Sequence, residues 1–153
     1  MAEIKVVATN RRAHHDNYIE DTYEAGLVLT GTEVKSLRQG RASLAEAYVT
    51  VEAGEAWLEN AHIPEWGQGG WTNHTPRRRR KLLLHEEEIL ILAEGSREKG
   101  TTVVPLQLYF VKGKAKLQIA LGRGKKLYDK RQTLREQQDA REAERAMSLR
   151  AHR

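Results

Sequence analysis

The chain of 153 residues contains no cysteine. Neither a disulfide framework nor thiolate metal ligation is open to it. It also lacks long apolar runs. The two longest, at 82–84 and 89–93, fall far short of what a bilayer requires. No charged stretch followed by an apolar segment opens the N-terminus, so no secretion signal is expected. These absences describe a soluble, cytoplasmic protein without membrane contact, and 153 residues fit one domain.

Other absences concern chemistry. The six histidines show no metal-ligand spacing. His14 and His15 are adjacent and point apart on an extended chain, while His62, His74, His85 and His152 are scattered. Gly67-Gln68-Gly69-Gly70 precedes Trp71 rather than a helix opening on Lys and Ser or Thr, which excludes a phosphate loop. No serine or threonine stands in a nucleophile-elbow context. No catalytic constellation, metal or cofactor is expected, and binding is what remains.

Charge is unevenly placed. Lys and Arg number 26 against 21 Asp and Glu, a net +5. From Arg123 onward there are 10 basic and 5 acidic residues, which leaves 16 of each over 1–122. The excess therefore sits in the last 31 residues. A neutral body with a basic tail suits a polyanion, because Lys and Arg displace counterions from phosphate.

Six strands are expected, at 4–9, 18–30 (interrupted at Gly26), 47–52, 55–63, 102–112 and 114–121. Ala53-Gly54 and Lys112-Gly113-Lys114 supply tight turns. Leu106, Leu108 and Phe110 alternate toward the core on one strand, as do Ala115, Leu117, Ile119 and Leu121 on the next. Residues 10–15 read as a basic turn. Helices are expected from Thr32, as cap, to Gly40, and over 84–99 beginning near His85. Residues 64–76 form a loop bounded by two prolines. Its Trp66 and Trp71 suit base stacking or, more commonly, a lid folded back on the core. Short strands that do not alternate with helices define a mainly β fold, a closed or nearly closed antiparallel barrel with two minor helices. The barrel domain is placed at 1–122 and a basic tail at 123–153. The tail has helix formers but almost no apolar face beyond Leu134, Met147 and Leu149. Ordering it costs roughly 1–2 kcal/mol per residue, so it is expected to be disordered when free and helical on a polyanionic surface.

Four basic clusters are candidate RNA contacts: 10–15, Lys35 with Arg38 and Arg41, the run Arg77-Arg78-Arg79-Arg80-Lys81, and 123–131. The alternatives are a generic ribosome-associated RNA-binding barrel and an RNA-modifying enzyme without a visible catalytic set.

Five stretches, in this order and spacing, carry a resemblance: Asn-Arg-Arg-Ala-His-His, Tyr-Glu-Ala-Gly-Leu, Gly-Thr-Glu-Val-Lys-Ser-Leu-Arg, Arg-Lys-Leu-Leu-Leu-His and Gly-Lys-Lys-Leu-Tyr-Asp-Lys-Arg. The sequence resembles the SsrA-binding proteins (small protein B), partners of transfer-messenger RNA in bacterial trans-translation. The resemblance implies an antiparallel β-barrel of the oligonucleotide-binding (OB) type with small flanking helices, and a non-catalytic protein that binds the tRNA-like domain of that RNA. Such a protein supports alanylation of the RNA by alanyl-tRNA synthetase and delivers it with elongation factor Tu to stalled ribosomes. The tail is then expected to enter the vacant mRNA channel at the decoding centre. RNA contacts are expected at Asn10, Arg11, Arg12, His15, Tyr23, Glu24, Lys35, Arg38, Tyr48, Leu83, His85, Arg123, Gly124, Lys125 and Lys126. Ribosome contacts are expected at Tyr128, Asp129, Lys130 and Arg131.

Overall fold

The structure, a computed structural model, describes residues 3–151; within that range, side chains are not described at 127, 128, 130, 131 and 148–151. Strand β1 (Ile4–Thr9) leads into helix α1 (Arg11–Asp16), where the sequence suggests a turn. One side chain accounts for the difference. Ala13 is buried against Leu106 and Ala120 on the outside of the sheet, and a helix of six residues presents too little periodicity to be legible.

Strand β2 (Asn17–Leu27) runs unbroken through Gly26 and ends before 28–30. Helix α2 (Gly31–Arg38) is capped by Thr30, not Thr32. The Thr30 hydroxyl accepts from the Glu33 N–H, and the Glu33 carboxylate accepts from the Thr30 N–H at 2.9 Å. This reciprocal pair satisfies two helix-end donors. Strands β3 (Tyr48–Glu52) and β4 (Glu55–Glu59) join at Ala53-Gly54, whose φ angles of 49° and 75° make the turn that a twisted hairpin favours. β4 ends sooner than expected, at the left-handed Asn60.

The 64–76 loop carries a short 3-10 turn, Gly70–Thr72. It is followed by strand β5 (Arg80–Leu83), which grows out of the basic run and is not among the six expected strands. Helix α3 (Glu86–Gly95) is shorter than the 84–99 pattern suggests. It crosses Leu121 so closely that a Cβ on Gly95 would lie 2.6 Å from a leucine methyl. Strands β6 (Thr101–Val111) and β7 (Lys114–Gly124) are the longest hairpin, and β7 extends two residues past the expected barrel boundary at 122. Helix α4 (Lys125–Ala151) completes the chain.

The sheet order is β1-β6-β3-β4-β5-β2-β7, and β6 also pairs with β7, which closes a ring. β6 gives one edge to β7 and shares the other. Val103 meets Val49 of β3, and the far end pairs with β1. This antiparallel ring with small helices at its margins is the barrel expected from the strand pattern and the OB-like architecture that the resemblance implies. Its interior is filled by Ala25, Leu82, Leu108, Phe110, Leu117 and Ile119 among others. Leu106 is the exception to the expected alternation. A register shift between Pro105 and Gln107 turns it to the outside, under α1.

The tail is helical here, where the sequence reading expects disorder in the free chain. Its composition favours helix, but every described side chain over 132–147 is exposed. It stands as a helix without a core of its own.

Candidate nucleic-acid interface

The register of the ring decides which side chains share its outer face, because directly paired residues point the same way. Gly26 of β2 pairs with Leu83 of β5 and with Lys116 of β7. Lys116 pairs with Tyr109 of β6, which pairs with Val6 of β1. One row across five strands therefore reads Leu83, Gly26, Lys116, Tyr109, Val6. The next row holds Glu24, Gln118 and Gln107. Their neighbours in sequence, Ala25, Leu82, Leu108 and Leu117, are buried inside. Leu83 is 54% exposed, and a Cβ added at Gly26 would lie 3.4 Å from its side chain.

The face has both signs of charge. Glu24 is exposed, and its Oε2 accepts a hydrogen bond from the Tyr109 hydroxyl at 2.6 Å. Burial raises the Tyr109 pKa, and the Glu24 carboxylate raises it further, so the phenol stays a neutral donor. Lys116 makes no ion pair among the described residues. At one end of the face α1 packs over Ala120 and Leu106, which carries the exposed Arg11 and Arg12 to its border. A cleft of about 380 Å³ opens there between Asn10, Arg11, Arg12 and the 42–45 segment.

The sequence candidates separate on this map. Glu24, Leu83, Arg11 and Arg12 converge, and exposed His85 follows two residues after Leu83 as the N-cap of α3. Tyr23 does not join Glu24. It faces inward against the core, and burial, then Asp21 and Glu88, raise its pKa. Asn10 is buried, its N–H bonded to the Leu106 carbonyl and its side-chain amide to the Pro105 carbonyl at 2.9 Å. It fastens the β1–α1 corner. His15 bonds its neighbour Asp16 at 2.8 Å, the main cause that draws the Asp16 pKa below its usual value. Tyr48 is exposed on β3, outside the two rows.

Lys35 and Arg38 are exposed on α2, and the Lys35 ammonium lies 4.2 Å from the ring centre of Trp66. Trp66 is half-buried, whereas Trp71 is 95% exposed. The Asn73 amide holds the loop by bonding both the N–H and the carbonyl of Trp66. His74 ties it to α2. Its Nε2 donates to the Ile63 carbonyl at 2.8 Å, so Nδ1 accepts from the Thr32 hydroxyl at 2.9 Å.

At the end of β7, Arg123 pairs with Glu20 and Glu98, and the Gly124 N–H donates to the Gly100 carbonyl. Lys125 lies 5.4 Å from the Tyr18 ring, and the Tyr18 hydroxyl donates to Asp129 at 2.8 Å. Lys126 is exposed. The side chains of Tyr128, Lys130 and Arg131 lie outside the described residues.

The densest basic run is ion-paired within the chain, and Arg80 alone of it is buried. Arg77 pairs with Glu46 at 3.0 Å, Arg79 with Glu59 at 3.1 Å and Lys81 with Glu55 at 3.1 Å. Arg78 and Arg80 converge on Glu33. Arg80 and Glu33 are both fully buried, and Arg80 also donates to the carbonyls of Ala61 and Pro76. Five cations that compositional reading sets against RNA are thus each answered by a carboxylate of the chain itself.

A closed antiparallel ring with a mixed polar outer face, bordered by the exposed Arg11 and Arg12, is an OB-like barrel, an architecture that oligonucleotide binders use. The SmpB protein family model matches residues 7–149, and the chain belongs to that family. An "SsrA-binding protein" of Clavibacter michiganensis subsp. michiganensis is 68% identical over 144 residues, spanning 94% of this chain and 91% of that one. That of Leifsonia xyli subsp. xyli is 64% identical over 148 residues, spanning 97% and 94%. Among solved structures, one described as tmRNA–SmpB on a journey to the centre of the bacterial ribosome is similar with a TM-score of 0.66. Its identity is 48%, covering 76% of this chain and 82% of that one.

Proposed function

We propose that this chain binds transfer-messenger RNA through the outer face of β5, β2, β7 and β6, and acts with it in trans-translation. The observation that carries this reading is the convergence of Glu24, Leu83 and Gly26 with Tyr109, Lys116 and Gln118 on one surface beside Arg11 and Arg12. The relatives are SsrA-binding proteins, and the similar solved structure concerns tmRNA–SmpB in the bacterial ribosome. A carboxylate amid cations suits RNA only at a base edge or a ribose hydroxyl, since phosphate would repel it. Single-stranded or loop nucleotides offer such donors.

The finer assignment follows the family. The face takes the tRNA-like domain, favours its alanylation by alanyl-tRNA synthetase and travels with it and elongation factor Tu to a stalled ribosome. α4, with 27 residues and about 40 Å of helix, then occupies the empty mRNA channel, with Tyr128, Asp129, Lys130 and Arg131 at the decoding centre. On arrival, Asp129 exchanges its bond to Tyr18 for a ribosomal partner. Exposed arginines and glutamines suit α4 to a phosphate-lined channel, and a helix whose described side chains over 132–147 are all exposed can be stabilised by that surface.

The test is affinity for transfer-messenger RNA as a function of salt, beside affinity for ordinary tRNA. With about six phosphates neutralised, log K falls against log salt with a slope of roughly −4, and transfer-messenger RNA is preferred. Affinity indifferent to salt contradicts the reading. Equal affinity for ordinary tRNA leaves only a generic RNA-binding protein.

A further inference from the structure

We propose that Tyr109 is the positioning residue for Glu24, fixing that carboxylate as an acceptor for a base-edge N–H or a ribose hydroxyl of bound RNA. The inference rests on the proposed RNA face and assigns a part to a residue of that face that is itself buried.

Tyr109 and Glu24 are separated by one strand. Tyr109 pairs with Lys116 and Glu24 with Gln118, two positions apart on β7, so the phenol reaches diagonally across β7 to the carboxylate. The 2.6 Å contact has an ionised acceptor and a neutral donor, the stronger kind of hydrogen bond. Only the donor is buried. Tyr109 is 7% exposed while Glu24 is exposed. The ring is held by packing, whereas an unrestrained glutamate on a strand surface would sample several rotamers. Burial and the carboxylate both oppose ionisation of Tyr109, so the phenol remains a donor across the working pH range.

The bond occupies Oε2 and leaves Oε1 uncommitted among the described residues. A fixed carboxylate with one free oxygen discriminates by requiring a donor at that point, and a nucleotide lacking one leaves the oxygen desolvated without a partner. Preorganisation of this kind lowers the ordering cost at binding. Removing the phenol oxygen therefore weakens recognition without removing any group that touches RNA.

The experiment is a double-mutant cycle on RNA affinity with Tyr109→Phe, Glu24→Ala and the pair, using intact transfer-messenger RNA and monitoring the melting temperature of each variant. Phe keeps the ring in its place. Tyr109→Phe is expected to weaken binding about fivefold to tenfold, and Glu24→Ala by more. In the Glu24→Ala background, Tyr109→Phe is expected to cost nothing further. If Glu24→Ala leaves affinity unchanged, the reading of the face itself fails. If Glu24→Ala weakens binding and Tyr109→Phe does not, the positioning role is overturned while the face stands. An equal loss in both backgrounds overturns it too, because Tyr109 then acts on RNA or on the fold independently of Glu24. The coupling term distinguishes these outcomes even if the melting temperature drops, since a purely structural loss is the same with or without Glu24.

Discussion

Glu33→Ala is expected to destabilise the folded chain by about 3–5 kcal/mol, read as a lowered urea midpoint at neutral pH. Glu33 is fully buried and accepts from Arg78, Arg80 and the Thr30 N–H. Its loss strips the wholly buried Arg80 of its carboxylate and removes half of the α2 capping box. The bonds from Arg80 to Ala61 and Pro76 remain, but they satisfy donors without neutralising charge. A shift below about 1 kcal/mol would mean that the cluster is solvated.

The same cluster sets a pH dependence. Burial pushes the Glu33 carboxyl up, but the hydrogen bonds from Arg78, Thr30 and Arg80 outweigh it and hold it below its ordinary 4.5. A carboxyl depressed in the folded state contributes stability that is present above its unfolded value and lost as pH falls through the folded one. The intact chain therefore loses stability in acid below about 4.5. Glu33→Gln, already weakened at neutral pH, lacks that step.

Deleting residues 132–153 is expected to abolish peptide tagging on stalled ribosomes while leaving transfer-messenger RNA affinity within about twofold and the melting temperature unchanged. The described side chains removed are all exposed, so none of them takes buried apolar area with it. The cut also spares the rows around Gly26 and Glu24, together with the contacts of Asp129 and Lys125 to Tyr18. Equal loss of RNA binding would show that α4 belongs to the RNA face. Intact tagging would remove it from the ribosomal step.

Much of this was legible in the residues. The β6–β7 hairpin follows from alternation, and both tight turns from Gly54 and Gly113. Three features were not. The bulge after Pro105 reverses the facing of Leu106, because alternation assumes an unbroken ladder. The basic run reads as a phosphate surface because composition does not reveal that Arg78 and Arg80 meet a carboxylate more than 40 positions earlier in the chain. Tyr109 and Lys116 join the candidate site only through cross-strand register, which spacing along one strand does not encode. The split of Tyr23 from Glu24 was available, since successive strand residues face opposite ways.

Tagging of a stalled nascent peptide in a reconstituted translation system, with transfer-messenger RNA present and this chain added or withheld, tests the central claim most directly. The peptide is expected to acquire its tag only when the chain is present, with loss of tagging when Glu24 is replaced by alanine. Tagging that proceeds equally without the chain would contradict its place in trans-translation.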